Sequence, residues 1–206
     1  MGYNSSWYKD LRVLRDIING LEKIHEKKMV HRDFHIGNIL FNSGFYTYIS
    51  DMGLCGEVGN IDPTKIYGVM PYVSPEVLRG KPYTEAADIY SFGMIMYFLA
   101  TGRQPFADRA HDQGLALSIC NGIRPEISEK YAPKCYIDLM KRCWDPNPDN
   151  RPNAIEVSGE IDSFKRLRDS YDDNDKEIVK QFIEAYKYKT KKYKYLISNY
   201  FHSNQS

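Results

Sequence analysis

An excess of charge of either sign is missing from this chain. Its 28 lysines and arginines are matched by 27 aspartates and glutamates, a formal net charge of +1 over 206 residues. No overall field draws it toward nucleic acid or an anionic membrane, so partners must be read from local sites. Cysteine is scarce. Cys55, Cys120, Cys135 and Cys143 form no C-x-x-C pair and no ligand-like spacing with histidine, which argues against a zinc site or a disulfide framework. We read them as reduced, intracellular thiols. Long apolar runs are also lacking: the longest, Ile89 to Leu99, is about half of the roughly 20 residues a spanning helix needs, and predicts a buried helix instead. The N-terminus has no charged region ahead of an apolar one, so secretion is not signalled. Met1-Gly2-Tyr3-Asn4-Ser5-Ser6 meets the myristoylation pattern only loosely. No internal repeat is present. What remains, 42% hydrophobic and 27% charged residues, is the composition of one globular domain with a modest appendage.

Trp7, Leu11, Leu14, Ile18, Leu21 and His25 recur at helical spacing, with charged residues largely on the other faces, and predict an amphipathic helix leading into Met29-Val30-His31. Ile39-Leu40-Phe41 and Tyr46 to Ile49, split by Asn42-Ser43-Gly44, read as a hairpin. From Asp51 to Pro75 the chain is rich in Gly, Pro and polar residues without sustained periodicity, the signature of a long surface loop; such loops are usually functional. Thr84 to Thr101 predicts a helix with Thr84 as its cap and Gly102 as its stop. Further helices are expected near 109–120, 134–144 and 153–168, punctuated by Asn121-Gly122 and Asp145-Pro146-Asn147-Pro148. After Asp172-Asp173-Asn174-Asp175 an amphipathic segment follows, and Tyr186 to Tyr195 mixes tyrosine with five lysines. We read 169–206 as a packed or solvated tail rather than a nucleic-acid strip.

The chemistry concentrates in His31-Arg32-Asp33-Phe34-His35-Ile36-Gly37-Asn38, which fits the pattern H-R-D, four residues, N. Thirteen residues after Asn38 comes Asp51-Met52-Gly53. Ser74-Pro75-Glu76 closes the long loop, Asp88-Ile89-Tyr90-Ser91-Phe92-Gly93 opens the apolar helix, and Cys143-Trp144 leads to Arg151-Pro152. In this order, over about residues 7–168, the landmarks resemble the C-terminal lobe of a eukaryotic protein kinase domain, in particular the tyrosine-kinase-like branch of the serine/threonine kinases. The resemblance implies a mainly α fold with one small β-hairpin: a lobe at 1–168, with catalytic loop 31–38 and activation segment 51–76, followed by the tail. It implies phosphoryl transfer, in which positioning and charge neutralisation do most of the work. By that resemblance Asp33 accepts or orients the proton of the substrate hydroxyl, and Asn38 and Asp51 offer oxygens to Mg²⁺ on the phosphates of ATP. Leu40 lies beneath the adenine, and Arg32, after His31, pairs with a phosphorylated Thr64 or Tyr67. Glu76 and Arg151 form a buried ion pair anchoring the loop, and Asp88 holds the catalytic-loop backbone. His25 and His111 are taken as ordinary helix residues.

Four departures bear on activity. His35, counted with Asp33 and Asn38 among the catalytic residues, stands where such kinases usually place a lysine toward the transferred phosphate, and a mostly neutral imidazole supplies less charge. Val69 has no hydroxyl to brace the catalytic loop as a threonine would. Met52 replaces a phenylalanine whose packing slot a flexible side chain can fill. The fourth is the largest. Only 30 residues precede His31, and one helix accounts for them; no G-x-G-x-x-G, nucleotide-pairing lysine or glutamate partner is found. An N-terminal β-lobe is therefore expected to be absent. The resulting expectation is a truncated protein kinase, cytoplasmic, transferring the γ-phosphate of ATP to protein serine or threonine hydroxyls with tyrosine left open. The isolated chain would be inactive. The alternative is a pseudokinase-like scaffold binding a protein partner through the exposed lobe face. An aminoglycoside-phosphotransferase-like enzyme would share the catalytic loop but leaves Ser74-Pro75-Glu76 and Arg151 unexplained.

Overall fold

Helix α1, Ser5–Glu26, carries the apolar stripe the sequence predicts, and Trp7, Leu11, Leu14, Ile18, Leu21 and His25 are all buried, joined by Ile17 and Ile24. In this computed structural model residues 5–42, 46–58, 66–168, 170 and 172–203 are described. Each fully buried leucine or isoleucine on such a face contributes about 1.5–3 kcal/mol, which is what commits the helix to the body. Helix α3, Glu85–Thr101, sits deepest. Residues Ala87 to Tyr97 are buried on every face, so its sequence shows no amphipathic stripe, as a helix enclosed on all sides should. Gly102 ends it in a left-handed conformation (φ 66°) while its amide donates to the Phe98 carbonyl at 2.7 Å.

Around α3 pack α5, Lys134–Cys143, and the 3₁₀ turn Met70–Tyr72, while α6, Ala154–Arg168, lies against α1 and α5. The buried phenol of Tyr136 donates to the Met96 carbonyl at 2.8 Å, tying α5 to α3. Helix α6 opens with reciprocal bonds, Glu156 N to Asn153 Oδ1 at 3.0 Å and Asn153 N to Glu156 Oε2 at 2.9 Å, which satisfy two amides the helix leaves over. Helix α4, Gln113–Cys120, starts later than the sequence pattern suggests because Asp112 accepts from Leu115 N and so marks the cap. A short α2, Pro75–Leu78, meets α4.

The fold is mainly α, with two small antiparallel sheets among the described residues. β2 (Ile39–Phe41) pairs with β3 (Thr47–Ile49), the hairpin expected from the sequence. β1 (Met29–Val30) pairs with β4 (Gly56–Glu57), a pairing that joins residues far apart in the chain and was not foreseen.

Helix α7, Lys176–Ser203, returns along the body and contacts α1, α5 and α6. Phe182 and Ala185 are buried beneath it, and Trp7 meets the Phe182 and Tyr136 rings edge-on at 5.8 and 5.2 Å. Gln181 accepts from the Lys134 amide at 3.0 Å, at the start of α5 where no side chain of that helix caps it. Lys189 donates to Asp10 Oδ2 and to the Leu99 carbonyl, both at 2.7 Å, the latter in the last turn of α3. The four cysteines are free thiols, and among the described residues no helix is long and apolar enough to cross a membrane.

Candidate active site

The loop after β1 takes its shape from one buried carboxylate. Asp88, in the first turn of α3 and 2% exposed, accepts the His31 amide at 2.9 Å and the Arg32 amide at 3.3 Å. His25 Nε2 lies 3.0 Å from Asp88 Oδ2, and because a carboxylate only accepts, the imidazole must be the donor. His25 is therefore no ordinary helix residue: it is buried at the end of α1 and ties that helix to α3 and the loop. His111 is exposed in the bend ahead of α4, outside a helix. The bonds from Asp88 hold Arg32 at φ 70°, a left-handed conformation that costs an L-residue of this kind about 1–3 kcal/mol and persists only where its surroundings dictate it.

From there the polar groups form a hydrogen-bonded circuit. Asn38, at the end of the 3₁₀ turn Ile36–Asn38, donates through Nδ2 to the Asp33 carbonyl at 2.9 Å and to Asp33 Oδ2 at 3.3 Å. The Asn38 carbonyl accepts Ser50 N at 2.8 Å and Ser50 Oγ at 3.0 Å, and His31 Nε2 is 3.0 Å from the Ser50 carbonyl. The β2–β3 hairpin, with Ile39 opposite Ile49, brings Asn38 and Ser50 face to face. Asp51 follows directly, exposed, at φ 58° and ψ 60°, with no capping bond from its side chain. Asp33 Oδ1 is buried and makes no well-formed hydrogen bond; His35 Nε2 stands 3.3 Å away, too poorly aligned to count as one. Among the described residues neither Asn38 Oδ1 nor the Asp51 carboxylate accepts a hydrogen bond. No group of three or more His, Cys, Asp or Glu side chains among those residues is arranged to hold a metal ion by itself.

Leu40 is 55% exposed on β2, opposite Tyr48. Arg32 donates through Nη2 to the Glu57 carbonyl at 2.9 Å and lies over Gly56, where a Cβ would come within 2.6 Å of its guanidinium. Tyr67 is half-buried, its amide donating to Tyr83 Oη at 2.8 Å while that hydroxyl donates back to the Tyr67 carbonyl. Burial pushes the Tyr83 phenol up to about 12, which keeps its proton in place for that bond. Thr64 lies outside the described residues. Met52 corrects an expectation: it is 46% exposed rather than packed in a slot, its sulfur 3.6 Å from Cys55 Sγ. Burial raises that thiol to about 11, so Cys55 is no nucleophile at neutral pH.

At the far end of the segment Glu76 and Arg151 meet in two parallel bonds of 2.7 and 2.8 Å, with the Arg151 side chain fully buried. Arg151 also donates to the Ala86 and Asp145 carbonyls at 2.8 and 2.9 Å and stacks over Tyr90 at 5.2 Å. Burial alone would raise the Glu76 carboxyl, but the bonds and charge of Arg151 outweigh it and hold the group below the ordinary carboxylate range. Sequence reasoning missed His25, and also Arg124, whose guanidinium lies 5.0 Å from the centre of the buried Tyr90 ring and which donates to the Trp144 carbonyl at 2.9 Å. The stripe of α1 marks His25 as buried but does not name its partner, and Arg124 stands in no such pattern.

A helical body, a loop shaped from within by a buried aspartate, and a long segment anchored by a buried ion pair make up the architecture that carries these residues. The family described as protein kinase domain matches residues 8–160, and the chain belongs to that family. It is similar to Receptor-interacting serine/threonine-protein kinase 1 of Homo sapiens, 30% identical over 193 residues that cover 83% of this chain and 29% of that protein. It is likewise similar to Protein kinase and PP2C-like domain-containing protein of Arabidopsis thaliana, 32% identical over 188 residues covering 75% of this chain and 29% of that protein. Serine/threonine/tyrosine-protein kinase HT1 of Arabidopsis thaliana is 30% identical over 163 residues, 79% of this chain and 42% of that protein. The chain thus spans less than half the length of each of these relatives.

Proposed function

We propose that residues 31–51 form the floor of a phosphoryl-transfer site acting on protein hydroxyls, serine and threonine foremost. The observation that carries this reading is Asp33 Oδ1, a buried carboxylate oxygen that makes no well-formed hydrogen bond, beside Asn38, which donates to the other oxygen of the same carboxylate. An unpaired buried acceptor is costly unless a donor arrives, and an acceptor hydroxyl is such a donor. Asp33 would take or orient its proton.

The donor set also fits magnesium-bound ATP. Mg²⁺ keeps several waters and uses one or two carboxylates together with substrate phosphates, so a dense acidic cluster is not required. Asn38, whose amide nitrogen is committed to Asp33, has its Oδ1 left to offer, and Asp51 has its whole carboxylate. When bound, the ion would neutralise charge on the phosphates. Leu40 would lie under the base, and Arg32 would serve a phosphorylated Thr64 or Tyr67. The sequence holds no G-x-G-x-x-G to cover the phosphates, so this chain by itself has negligible transfer activity.

Thermal unfolding with and without Mg²⁺-ATP tests the reading. Saturation to about 100 times the dissociation constant stabilises by about 2.7 kcal/mol, a rise of several degrees that Asp51→Asn should abolish. No rise in the parent chain at millimolar nucleotide would refute it. A second reading, a binding module, draws on Leu40, Phe41, Tyr46, Tyr48 and Met52, each 46–60% exposed, as a surface for a protein partner. It gains if nucleotide has no effect while a protein partner covers those residues.

A further inference from the structure

His35, its side chain only 17% exposed, is held from several sides for a loop residue. Its Nδ1 accepts the Gly37 amide at 3.0 Å, and a backbone amide can only donate, so Nδ1 is bare and the ring proton sits on Nε2. Nε2 is the atom 3.3 Å from Asp33 Oδ1. The ring lies where any side chain at position 37 would be: a Cβ on Gly37 would come within 2.7 Å of His35 Cε1 and 2.9 Å of Nδ1. Tyr72 backs the ring at 5.9 Å between centroids, its own hydroxyl donating to Gln104 Oε1 at 2.7 Å. With one nitrogen spent on Gly37 and the other protonated, His35 has no lone pair to act as a base.

Asp33 Oδ2 thus accepts a hydrogen bond from Asn38 Nδ2 at 3.3 Å, while the His35 Nε2 proton stands beside Oδ1, 3.3 Å between the heavy atoms, without the alignment of a formed bond. Both distances are longer than the usual 2.9–3.0 Å; the Asn38 bond orients the carboxylate, and the misaligned His35 N–H sets a positive edge beside Oδ1 while leaving that oxygen open to an incoming hydroxyl. We propose that His35 is the positioning residue of Asp33: the Gly37 amide fixes its tautomer, and its Nε2 proton keeps Oδ1 turned toward the acceptor hydroxyl. This rests on the phosphoryl-transfer reading for its purpose, but its geometry can be tested without it.

The test uses the full chain labelled with ¹⁵N and ¹³C at neutral pH, recording histidine ring nitrogens by long-range ¹H–¹⁵N correlation, with His35 assigned through His35→Gln. The expected result is a bare Nδ1 and a protonated Nε2 for His35, lost in Gly37→Ala while the other histidine signals stay in place. His35→Leu should shift the Asp33 carboxyl carbon, and His35→Gln, which restores an N–H donor, should return it toward the parent position. A His35 ring protonated on Nδ1 or averaging between tautomers overturns the proposal, as does an Asp33 signal indifferent to both His35 variants. A merely packing role would respond to ring loss without rescue by glutamine. If the tautomer and the rescue are seen but Mg²⁺-ATP never stabilises the chain, the proposed function falls and this assignment is supported; the reverse pattern overturns the assignment alone.

Discussion

Replacing Arg151 by methionine tests what anchors the long segment between Asp51 and Glu76. The change removes both bonds to Glu76, the bonds to the Ala86 and Asp145 carbonyls, and the stacking on Tyr90, while keeping a chain of similar length in a fully buried slot. Glu76, with only 12% of its side chain exposed, then has no counter-charge. Removing one partner of a buried pair costs about 3–5 kcal/mol. For a chain of this size each kcal/mol moves the melting temperature by about 2–4 °C, so a fall on the order of 10 °C is expected. The pH dependence changes sign as well. In the parent the Glu76 carboxyl is held low, so its contribution is complete above the unfolded value of about 4.3 and is lost as pH falls through the folded value. In Arg151→Met only burial acts on Glu76, which raises it, and acidification across that window should now relieve the variant. Glu76→Gln combined with Arg151→Met should cost less than the two changes summed. Urea unfolding of all four proteins from about pH 4 to 7 reads both effects. A neutral-pH loss below about 1 kcal/mol, the level of an exposed pair, would refute the reasoning.

Asp88→Asn keeps the size of the side chain but presents one carbonyl oxygen to three donors, His25 Nε2 and the His31 and Arg32 amides. A loss of about 1–3 kcal/mol and faster hydrogen exchange at His31 and Arg32 are expected, and unchanged exchange would count against the assignment. Lys189→Met leaves Asp10 buried without its cation and the Leu99 carbonyl without its donor, and should lower stability by about 1–3 kcal/mol in chemical unfolding. Asp10→Asn should cost less. Burial holds the Asp10 carboxyl above its usual value in spite of Lys189, so its ionised form opposes folding and its contribution improves as pH falls toward the unfolded value of about 3.9. Equal losses in the two variants would overturn this account.

Helices whose burial follows a simple stripe were legible from the residues. The first helix and α5 show their buried faces at 3.6-residue spacing, and α3 was marked by an apolar run with Gly102 behind it. Thr84 was expected to cap α3 with its side chain, yet it makes no such bond; its position alone marks the start. The β1–β4 pairing was illegible because two-residue strands 27 positions apart carry no period, and their partner choice follows from Asp88 and Arg32 fixing the loop between them. At the site, residue types in order gave the candidates, and coordinates brought Asp33, Asn38 and the Ser50 backbone next to Asp51 into one circuit. What the order could not give was contact across the chain: His25 on Asp88, 63 positions away, and Lys189 on Asp10, 179 away. Such contacts depend on which surfaces the helices present once packed.

The docking of α7 over Trp7 gives the molecule a natural reporter. The chain has two tryptophans, and Trp7 is enclosed by Phe182 and a lysine ammonium 5.6 Å from its ring, both supplied by α7. Whenever that last helix lifts away, an indole is bared to water and its emission must redden. Light emitted near the beginning of the polypeptide therefore announces what its end is doing.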